Sequence, residues 1–146
     1  MKFSFKDFDK NKYEKYAEFD GKVLIIGYGS VGQAILPVIL RHLVIDPKNV
    51  TVLERDNHRA LFIKRHGGSG VNYVREEITP SNYKKELSKY VGEGDLIINA
   101  SLNIDAKELL IWCAENGVME IDTSLERWEH HPDETIPKLA DRTLYH

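Results

Sequence analysis

Three glycines with the spacing G-x-G-x-x-G are the residues of this chain best suited to bind a phosphate. Gly27, Gly29 and Gly32 follow an apolar run and open an amphipathic stretch that begins at Ser30 and Val31. The first glycine permits a tight turn, the second lets a pyrophosphate approach the backbone, and the third lets the helix pack on the strand. Free N–H groups at the helix N-terminus then face the phosphates. The pattern predicts a dinucleotide-binding turn; the alternative is a glycine-rich turn that binds nothing.

Glu54 is the second candidate, because it closes the next apolar run at residues 50–53. An acidic residue at the end of this strand accepts hydrogen bonds from the adenosine ribose hydroxyls and repels a 2′-phosphate. We therefore expect NAD to be preferred over NADP. Arg55 and Arg59 keep NADP open as an alternative, and a solvated Glu54 that merely closes a strand is the other.

Polar and small residues also follow the remaining predicted strands, where ligands collect in open α/β sheets. The residues expected at these strand ends are Glu76, Glu77, Ile78, Thr79, Asn99, Ala100, Ser101, Asp122 and Thr123. Residues 99–101 suit the path of the cofactor's diphosphate and nicotinamide ribose, and a simple turn is the alternative. Thr79, Asp122 and Thr123 complete the predicted cofactor site. From position alone, Glu126 is a solvated carboxylate and Trp128 a core residue.

Strands and helices alternate along the chain. Strands are predicted over residues 22–26, 50–53, 71–74, 95–99 and 118–122, and helices over residues 30–43, 58–66 and 83–90 and after a capping box at 105–108. Pro37 is expected to bend the first helix. The alternation predicts an α/β fold: a Rossmann-type, doubly wound parallel sheet in three α/β/α layers.

The chain of 146 residues suits one compact domain, with hydrophobic residues at 42% and a formal net charge of -3. That charge argues against a nucleic-acid partner. Neither a membrane span nor a signal peptide is evident, so a cytoplasmic protein is expected. The single cysteine, Cys113, is predicted to be a buried apolar residue, and the adjacent His130 and His131 have no partners at metal-binding spacing. No metal is expected.

Three regions are predicted. Residues 1–20, rich in aromatic and charged residues, form an arm; residues 21–124 form the NAD-binding domain; residues 125–146 begin a second domain or linker. A dinucleotide domain alone usually lacks a substrate site. We therefore expect the chain to be truncated before a second, substrate-binding and dimerisation domain.

Several segments together resemble bacterial homospermidine synthases over nearly all of the chain from Phe19. The segments that carry the resemblance are Phe19 with residues 27–33, Leu36-Pro37, Arg41-His42, residues 74–79 with Asn82-Tyr83, residues 99–101, and Ile121-Asp122-Thr123 with Glu126 and Trp128. Pro37 in the first helix and the Asp-Thr-x-x-Glu-x-Trp ending are more specific than the glycine motif.

The resemblance implies a fold similar to the saccharopine dehydrogenase group and a transferase that recycles NAD. In that family, putrescine is oxidised to an imine by hydride transfer to NAD and loses ammonia. A second amine condenses with the carbon fragment, and the same NADH reduces the new imine to give homospermidine. The resemblance places Glu126 at the diamine site and implies a homodimer of the full-length protein.

Two other functions stay open. One is a saccharopine or carboxynorspermidine dehydrogenase, which shares the fold but carries out a net reduction. The other is a regulatory nucleotide-binding domain that senses NAD without chemistry. The residue that transfers protons is not evident from the sequence.

Overall fold

The computed structural model describes residues 13–128, so the predictions for residues 1–12 and 129–146, the His130-His131 pair included, lie outside the described residues. The described part alternates strands and helices from one end to the other. Its elements in chain order are β1 (Ala17–Glu18), β2 (Val23–Ile26), α1 (Ser30–His42), β3 (Leu43–Val44), a 3-10 helix (Pro47–Asn49), β4 (Val50–Glu54), α2 (Arg59–His66), β5 (Asn72–Arg75), α3 (Tyr83–Leu87), β6 (Leu96–Asn99), α4 (Ala106–Glu115) and β7 (Met119–Asp122).

Five strands form one parallel sheet in the order β5-β4-β2-β6-β7. The central strand β2 pairs with β4 on one side and with β6 on the other, and Ile26 lies opposite both Leu53 and Asn99. The chain first builds the sheet outward from β2 to β5 and then crosses back to add β6 and β7. The predicted doubly wound, Rossmann-type α/β fold is confirmed.

The helices cover both faces of this sheet. One apolar cluster joins α1 and α2 to the sheet through residues such as Leu36 and Phe62. The other joins α3 and α4 to the opposite face through residues such as Leu87 and Trp112. All four residues of β2 are buried, as expected for a central strand covered on both sides. This arrangement gives the three predicted layers.

The winding reverses between β2 and β6, and their carboxyl ends therefore open a crevice at the edge of the sheet. Backbone hydrogen bonds hold the strand ends together at the base of this crevice: Ala100 N donates to Ile26 O at 2.8 Å, and Gly27 N donates to Leu53 O at 2.8 Å. The glycine turn and the segment after β6 are thus neighbours.

Several predicted boundaries were wrong. The helix expected over residues 83–90 ends at Leu87 and continues only as turns, and the first helix ends at His42 because Leu43 begins a strand. That first helix passes through Pro37 without interruption. The predicted strands at 22–26, 95–99 and 118–122 each begin one residue later, and the strand at 71–74 lies at 72–75. The strand at 50–53 includes Glu54.

A short second sheet, which the sequence did not suggest, joins the end of the predicted arm to the end of α1. Ala17 and Glu18 pair in parallel with Leu43 and Val44. The Tyr16 ring stacks on the His42 ring, with 5.2 Å between centroids. The described part of the arm therefore packs against the domain.

The interior of the α4 layer contains Cys113, which is 1% exposed. Burial is the main cause that raises the pKa of its thiol to about 12. The prediction of a buried, apolar cysteine is confirmed. Among residues 13–128, no helix has the length and apolar character needed to cross a bilayer.

Candidate functional site

The glycine turn after β2 uses each glycine for a different reason. Gly27 has a φ of 96°, and a Cβ on it would lie 2.7 Å from the carbonyl oxygen of Ala100. A Cβ on Gly32 would collide with the carbonyl oxygen of Gly27. A Cβ on Gly29 would meet no atom within 4 Å, and the φ of Gly29 is an ordinary -69°. Gly27 and Gly32 are thus required by the fold, whereas Gly29 leaves open space in front of α1.

Glu54 ties this turn to the loop that follows β4. Its carboxylate accepts a hydrogen bond from the backbone N–H of Tyr28 through Oε2 and one from Asp56 N at 2.8 Å through Oε1. The residue is 7% exposed. A carboxylate oxygen accepts two hydrogen bonds, so each oxygen retains capacity for a ligand hydroxyl. Glu54 is therefore a fixed anion at the end of β4.

A cleft of about 330 Å³ opens at this edge of the sheet. It is lined by Ile26, Gly27, Gly29, Leu53, Glu54, Arg55, Asp56, His58, Glu76, Glu77, Ile78, Thr79, Pro80, Ala100, Ser101, Leu102, Asn103, Ile104 and Trp128. Six predicted cofactor-binding residues therefore share one cavity. They are Gly27, Gly29, Glu54, Thr79, Ala100 and Ser101.

Asn99, Asp122 and Thr123 lie behind the cleft wall and hold it in place. The Asn99 Oδ1 accepts from Ser101 N at 3.2 Å and from Ser101 Oγ at 2.6 Å. The Asn99 Nδ2 donates to Asp122 Oδ2 at 3.0 Å, and Thr123 Oγ1 donates to Asn99 O at 2.9 Å. Asn99 is fully buried. The structure therefore gives these three residues a supporting position, with Ser101 presented to the cavity.

The first residues of α1 also lie outside the cavity wall. Ser30 begins the helix, and Val31 is 46% exposed at its surface. Gly32 packs against the turn. Their contribution to a phosphate site would come from backbone N–H groups at the helix N-terminus.

Glu126, the predicted substrate residue, braces the loop that forms the far wall of the cleft. Its Oε2 accepts from Asn103 N at 2.6 Å, and its carbonyl accepts from Ala106 N at 2.9 Å. Asn103 has a φ of 63°, a conformation that asparagine tolerates better than most residues. Glu126 is therefore next to the cleft without lining it.

Trp128 lines the cleft and is also attached to the domain core. Its Nε1 donates to Glu108 Oε2 at 3.1 Å, and its ring lies 5.6 Å from the Tyr83 ring. The Asp105 side chain accepts from Glu108 N at 3.0 Å and caps α4, which confirms one half of the predicted capping box, whereas the Glu108 carboxylate accepts from Trp128. The prediction that Trp128 is a core residue is accordingly incomplete, because one side of it faces the cavity.

Sequence reasoning missed Asp56 and His58, which also line the cleft. Both lie in the loop after Glu54, and the hydroxyl of Tyr73 on β5 positions them. Tyr73 Oη donates to Asp56 O at 3.2 Å and accepts from His58 N at 3.2 Å. Desolvation by burial is the main cause that raises the pKa of Tyr73. The only signal in the sequence was the position of these residues directly after a strand end.

Opposite charges alternate around the end of the cleft next to Glu54. Arg55 Nε lies 3.7 Å from Asp56, and its Nη1 lies 3.9 Å from Glu77. All three side chains are more than half exposed, so water screens these pairs and they add little stability. They leave a guanidinium at the cleft mouth.

The fold and the cleft together define a nucleotide-binding α/β domain of the Rossmann type. The chain belongs to the saccharopine dehydrogenase NADP binding domain family, whose model matches residues 23–146. Two curated relatives are named homospermidine synthase. The one from Mesorhizobium japonicum is 38% identical over 134 residues, and the one from Blastochloris viridis is 31% identical over 117 residues.

A solved structure gives the same result. The chain is similar to the crystal structure of the homospermidine synthase from Legionella pneumophila in complex with NAD, with a TM-score of 0.72 and 29% identity over 80% of this chain. The matches cover 89% and 77% of this chain for the two curated relatives. The resemblance predicted from the motifs is confirmed.

The relatives are much longer than this chain. The matched region spans 27% and 24% of the two curated relatives and 25% of the solved chain. The similarity therefore concerns about a quarter of each relative.

Proposed function

We propose that the chain is the NAD-binding part of a homospermidine synthase. In this proposal the full-length protein makes homospermidine from putrescine by NAD-dependent transfer of an aminobutyl group. The observation that carries it is the open space at Gly29. This space belongs to a cleft that Glu54 lines and that lies where the winding of the sheet reverses. Similarity to two homospermidine synthases and to one solved with NAD supports it.

The described residues suit three parts of a dinucleotide. The pyrophosphate would lie over Gly29, where the backbone leaves room and the N-terminus of α1 supplies a positive dipole end. The adenosine ribose would reach Glu54. Ala100 and Ser101 would lie beside the nicotinamide half, because they follow β6 on the other side of the reversal point.

Once bound, NAD would supply a hydride acceptor that later returns the hydride, so the reaction has no net redox change. The chain's own residues hold the cofactor, and the loop at residues 102–104 forms one wall of the site. The proposed diamine residue is Glu126, whose carboxylate lies directly behind that loop. By the same resemblance, the full-length protein would act as a cytoplasmic homodimer.

Incubation of the full-length protein with putrescine and NAD tests the proposed activity. We expect homospermidine and ammonia as products, identified by mass spectrometry, with no accumulation of NADH. Accumulation of NADH without homospermidine would instead indicate a dehydrogenase, in which the hydride is not returned to the substrate. NAD binding without any conversion of putrescine would indicate a nucleotide sensor and would contradict the proposal.

The fixed anion at Glu54 predicts that NAD binds more tightly than NADP. Glu54→Ala should weaken NAD binding and narrow the preference, because the ribose hydroxyls lose an acceptor and a 2′-phosphate no longer meets a carboxylate. Loss of a hydrogen bond to a charged group corresponds to roughly 1.5–3 kcal/mol. Calorimetric titration of both nucleotides checks this. Equal affinities in the unmodified protein would exclude Glu54 as the discriminating residue.

A further inference from the structure

His58 lies beside the carboxylate that is expected to select the cofactor. Its Nδ1 is 3.7 Å from Glu54 Oε2, on an imidazole whose side chain is 38% exposed and lines the cleft. That Nδ1 is itself buried and makes no hydrogen bond to any of the described residues. The ring therefore places one nitrogen against the anion while part of its surface faces the cavity.

The backbone fixes His58 in this position. Its N–H donates to Tyr73 Oη at 3.2 Å, and its carbonyl accepts from Phe62 N at 2.9 Å. The Tyr73 ring packs against the Phe62 ring, with 4.9 Å between centroids. The backbone of His58 is thus held by β5 and α2, and from this position its imidazole lies beside Glu54.

The ionisable groups around His58 come from every neighbouring element. They are Glu54 at the end of β4, Arg55 and Asp56 in the loop, Arg59 on α2, Tyr73 and Arg75 on β5, and Glu76 and Glu77 beyond it. The guanidinium of Arg55 already lies near two carboxylates, those of Asp56 and Glu77. Glu54, by contrast, has the His58 imidazole as its partner among the ion-pair contacts of residues 13–128, and this partner is cationic only when protonated.

We propose that His58 determines cofactor specificity through its charge. When the imidazole is neutral, Glu54 repels a 2′-phosphate and the site selects NAD. When the imidazole is protonated, its cation offsets the charge of Glu54 and attracts the phosphate, so the site accepts NADP as well. This inference rests on the proposed dinucleotide function of the cleft.

The proposal predicts that specificity depends on pH, because protonation changes the charge of an imidazole. The other two described histidines, His42 and His66, do not contribute to this pH dependence. Burial is the main cause that lowers the pKa of His66 to about 4, with Arg65 second, so His66 stays neutral. His42 stacks on Tyr16 at the end of α1, away from the cleft.

The test measures dissociation constants of NAD and NADP by calorimetry between about pH 5.5 and 8. It compares the unmodified protein with His58→Gln and with the control variant His42→Gln. The 2′-phosphate itself titrates near pH 6, as phosphate monoesters do. The titration of the free nucleotide is common to all three proteins and cancels when the pH dependences of their NAD-to-NADP affinity ratios are compared.

We expect the preference for NAD to narrow at low pH about fivefold more in the unmodified protein than in His58→Gln, the size of a partly exposed ion pair. His42→Gln should follow the unmodified protein. Parallel pH profiles in all three proteins would overturn the role of His58 while leaving NAD binding in place. Absence of NADP binding at every pH would also overturn the role of His58, and absence of NAD binding at every pH would overturn the proposed function itself.

A second variant guards against a folding defect. His58→Asn shortens the side chain and, like glutamine, carries no charge, so it should give the same flattened profile. Both variants are first compared with the unmodified protein in thermal unfolding. A profile less steep than that of the unmodified protein, in a variant with unchanged unfolding temperature, supports the proposal. A ratio that depends on pH as steeply in both folded variants as in the unmodified protein contradicts it.

Discussion

Gly29 is the residue whose substitution best separates binding from folding. The space above it is empty, and its backbone conformation is one that other residues adopt freely. The other two glycines of the motif lack this property, because a side chain at Gly27 or Gly32 would collide with backbone. A substitution at Gly29 therefore changes what the turn can bind and leaves the packing of the turn unchanged.

Gly29→Val should abolish NAD binding and leave the unfolding temperature nearly unchanged, because the branched side chain would occupy the place of the pyrophosphate. Gly92→Val is the matched control. Gly92 also has no atom within 4 Å of an added Cβ, and it precedes β6 at the opposite edge of the sheet. Calorimetry and thermal unfolding of both variants check this. Retained NAD affinity in Gly29→Val would place the phosphate site elsewhere.

At this scale the sequence predicts the residues that a backbone motif fixes. The glycine spacing and the acidic end of β4 indicate that Gly29 and Glu54 share a site, and they line one cleft. The sequence does not predict that His58 lies in it. That position depends on the Tyr73 hydroxyl, a contact between residues 15 apart in the chain that no local pattern encodes.

Among the elements, the parallel, doubly wound arrangement of the strands follows from the regular alternation of apolar runs with helical segments. The shortest strands cannot be predicted in this way. The pairing of β1 with β3 involves two residues on each strand, too few for any period to be visible. The predicted continuation of α3 to residue 90 fails because the backbone bonds shorten to the i−3 pattern of turns, with Lys89 N donating to Glu86 O and Tyr90 N to Leu87 O, which a helical apolar pattern does not reveal.

Edge strand β7 contains a carboxylate in an unfavourable place. Burial, and then the neighbouring Asp122, raise the pKa of Glu120. A raised pKa means that the folded state holds the proton more tightly than the unfolded state does. Glu120 therefore does not destabilise the folded state below the unfolded pKa, and its destabilising effect develops as pH rises through the folded pKa.

Glu120→Gln should accordingly raise the unfolding temperature by about a degree or two near neutral pH, and the gain should vanish near pH 4. Glu93→Gln, at an exposed carboxylate, should change little at either pH. Thermal unfolding at several pH values checks both variants. A gain that persists unchanged in acid would show that the charge of Glu120 is not the cause.

For the molecule as a whole, we expect the residues that bind the cofactor to lie in this chain and most residues that bind the substrate to lie in the remainder of the full-length protein. This chain should bind NAD but should not convert putrescine unaided, since it spans about a quarter of the homospermidine synthases it resembles. Titration with NAD and product analysis by mass spectrometry, both on this chain, check the two statements. Homospermidine formed by this chain alone would contradict the expectation.

A substitution at Glu126 tests whether this residue contributes to the diamine site of the full-length protein. In the full-length protein, Glu126→Gln should reduce putrescine use at least tenfold and leave NAD affinity nearly unchanged, because an unpaired buried cation costs several kcal/mol. Glutamine keeps an acceptor for the Asn103 amide, so the loop wall should persist. Steady-state kinetics with putrescine and a parallel NAD titration check this. Joint loss of both would indicate a disturbed loop instead.

The solitary buried thiol makes the domain its own unfolding reporter. Cys113 is the one cysteine of the sequence, and its raised pKa and its place on the buried face of α4 protect it from thiol reagents in the folded state. A coloured disulfide reagent would therefore react only when that layer opens, and its rate would follow the population of open molecules. Added NAD, by stabilising the closed state, would slow this colour reaction in proportion to its occupancy of the cleft.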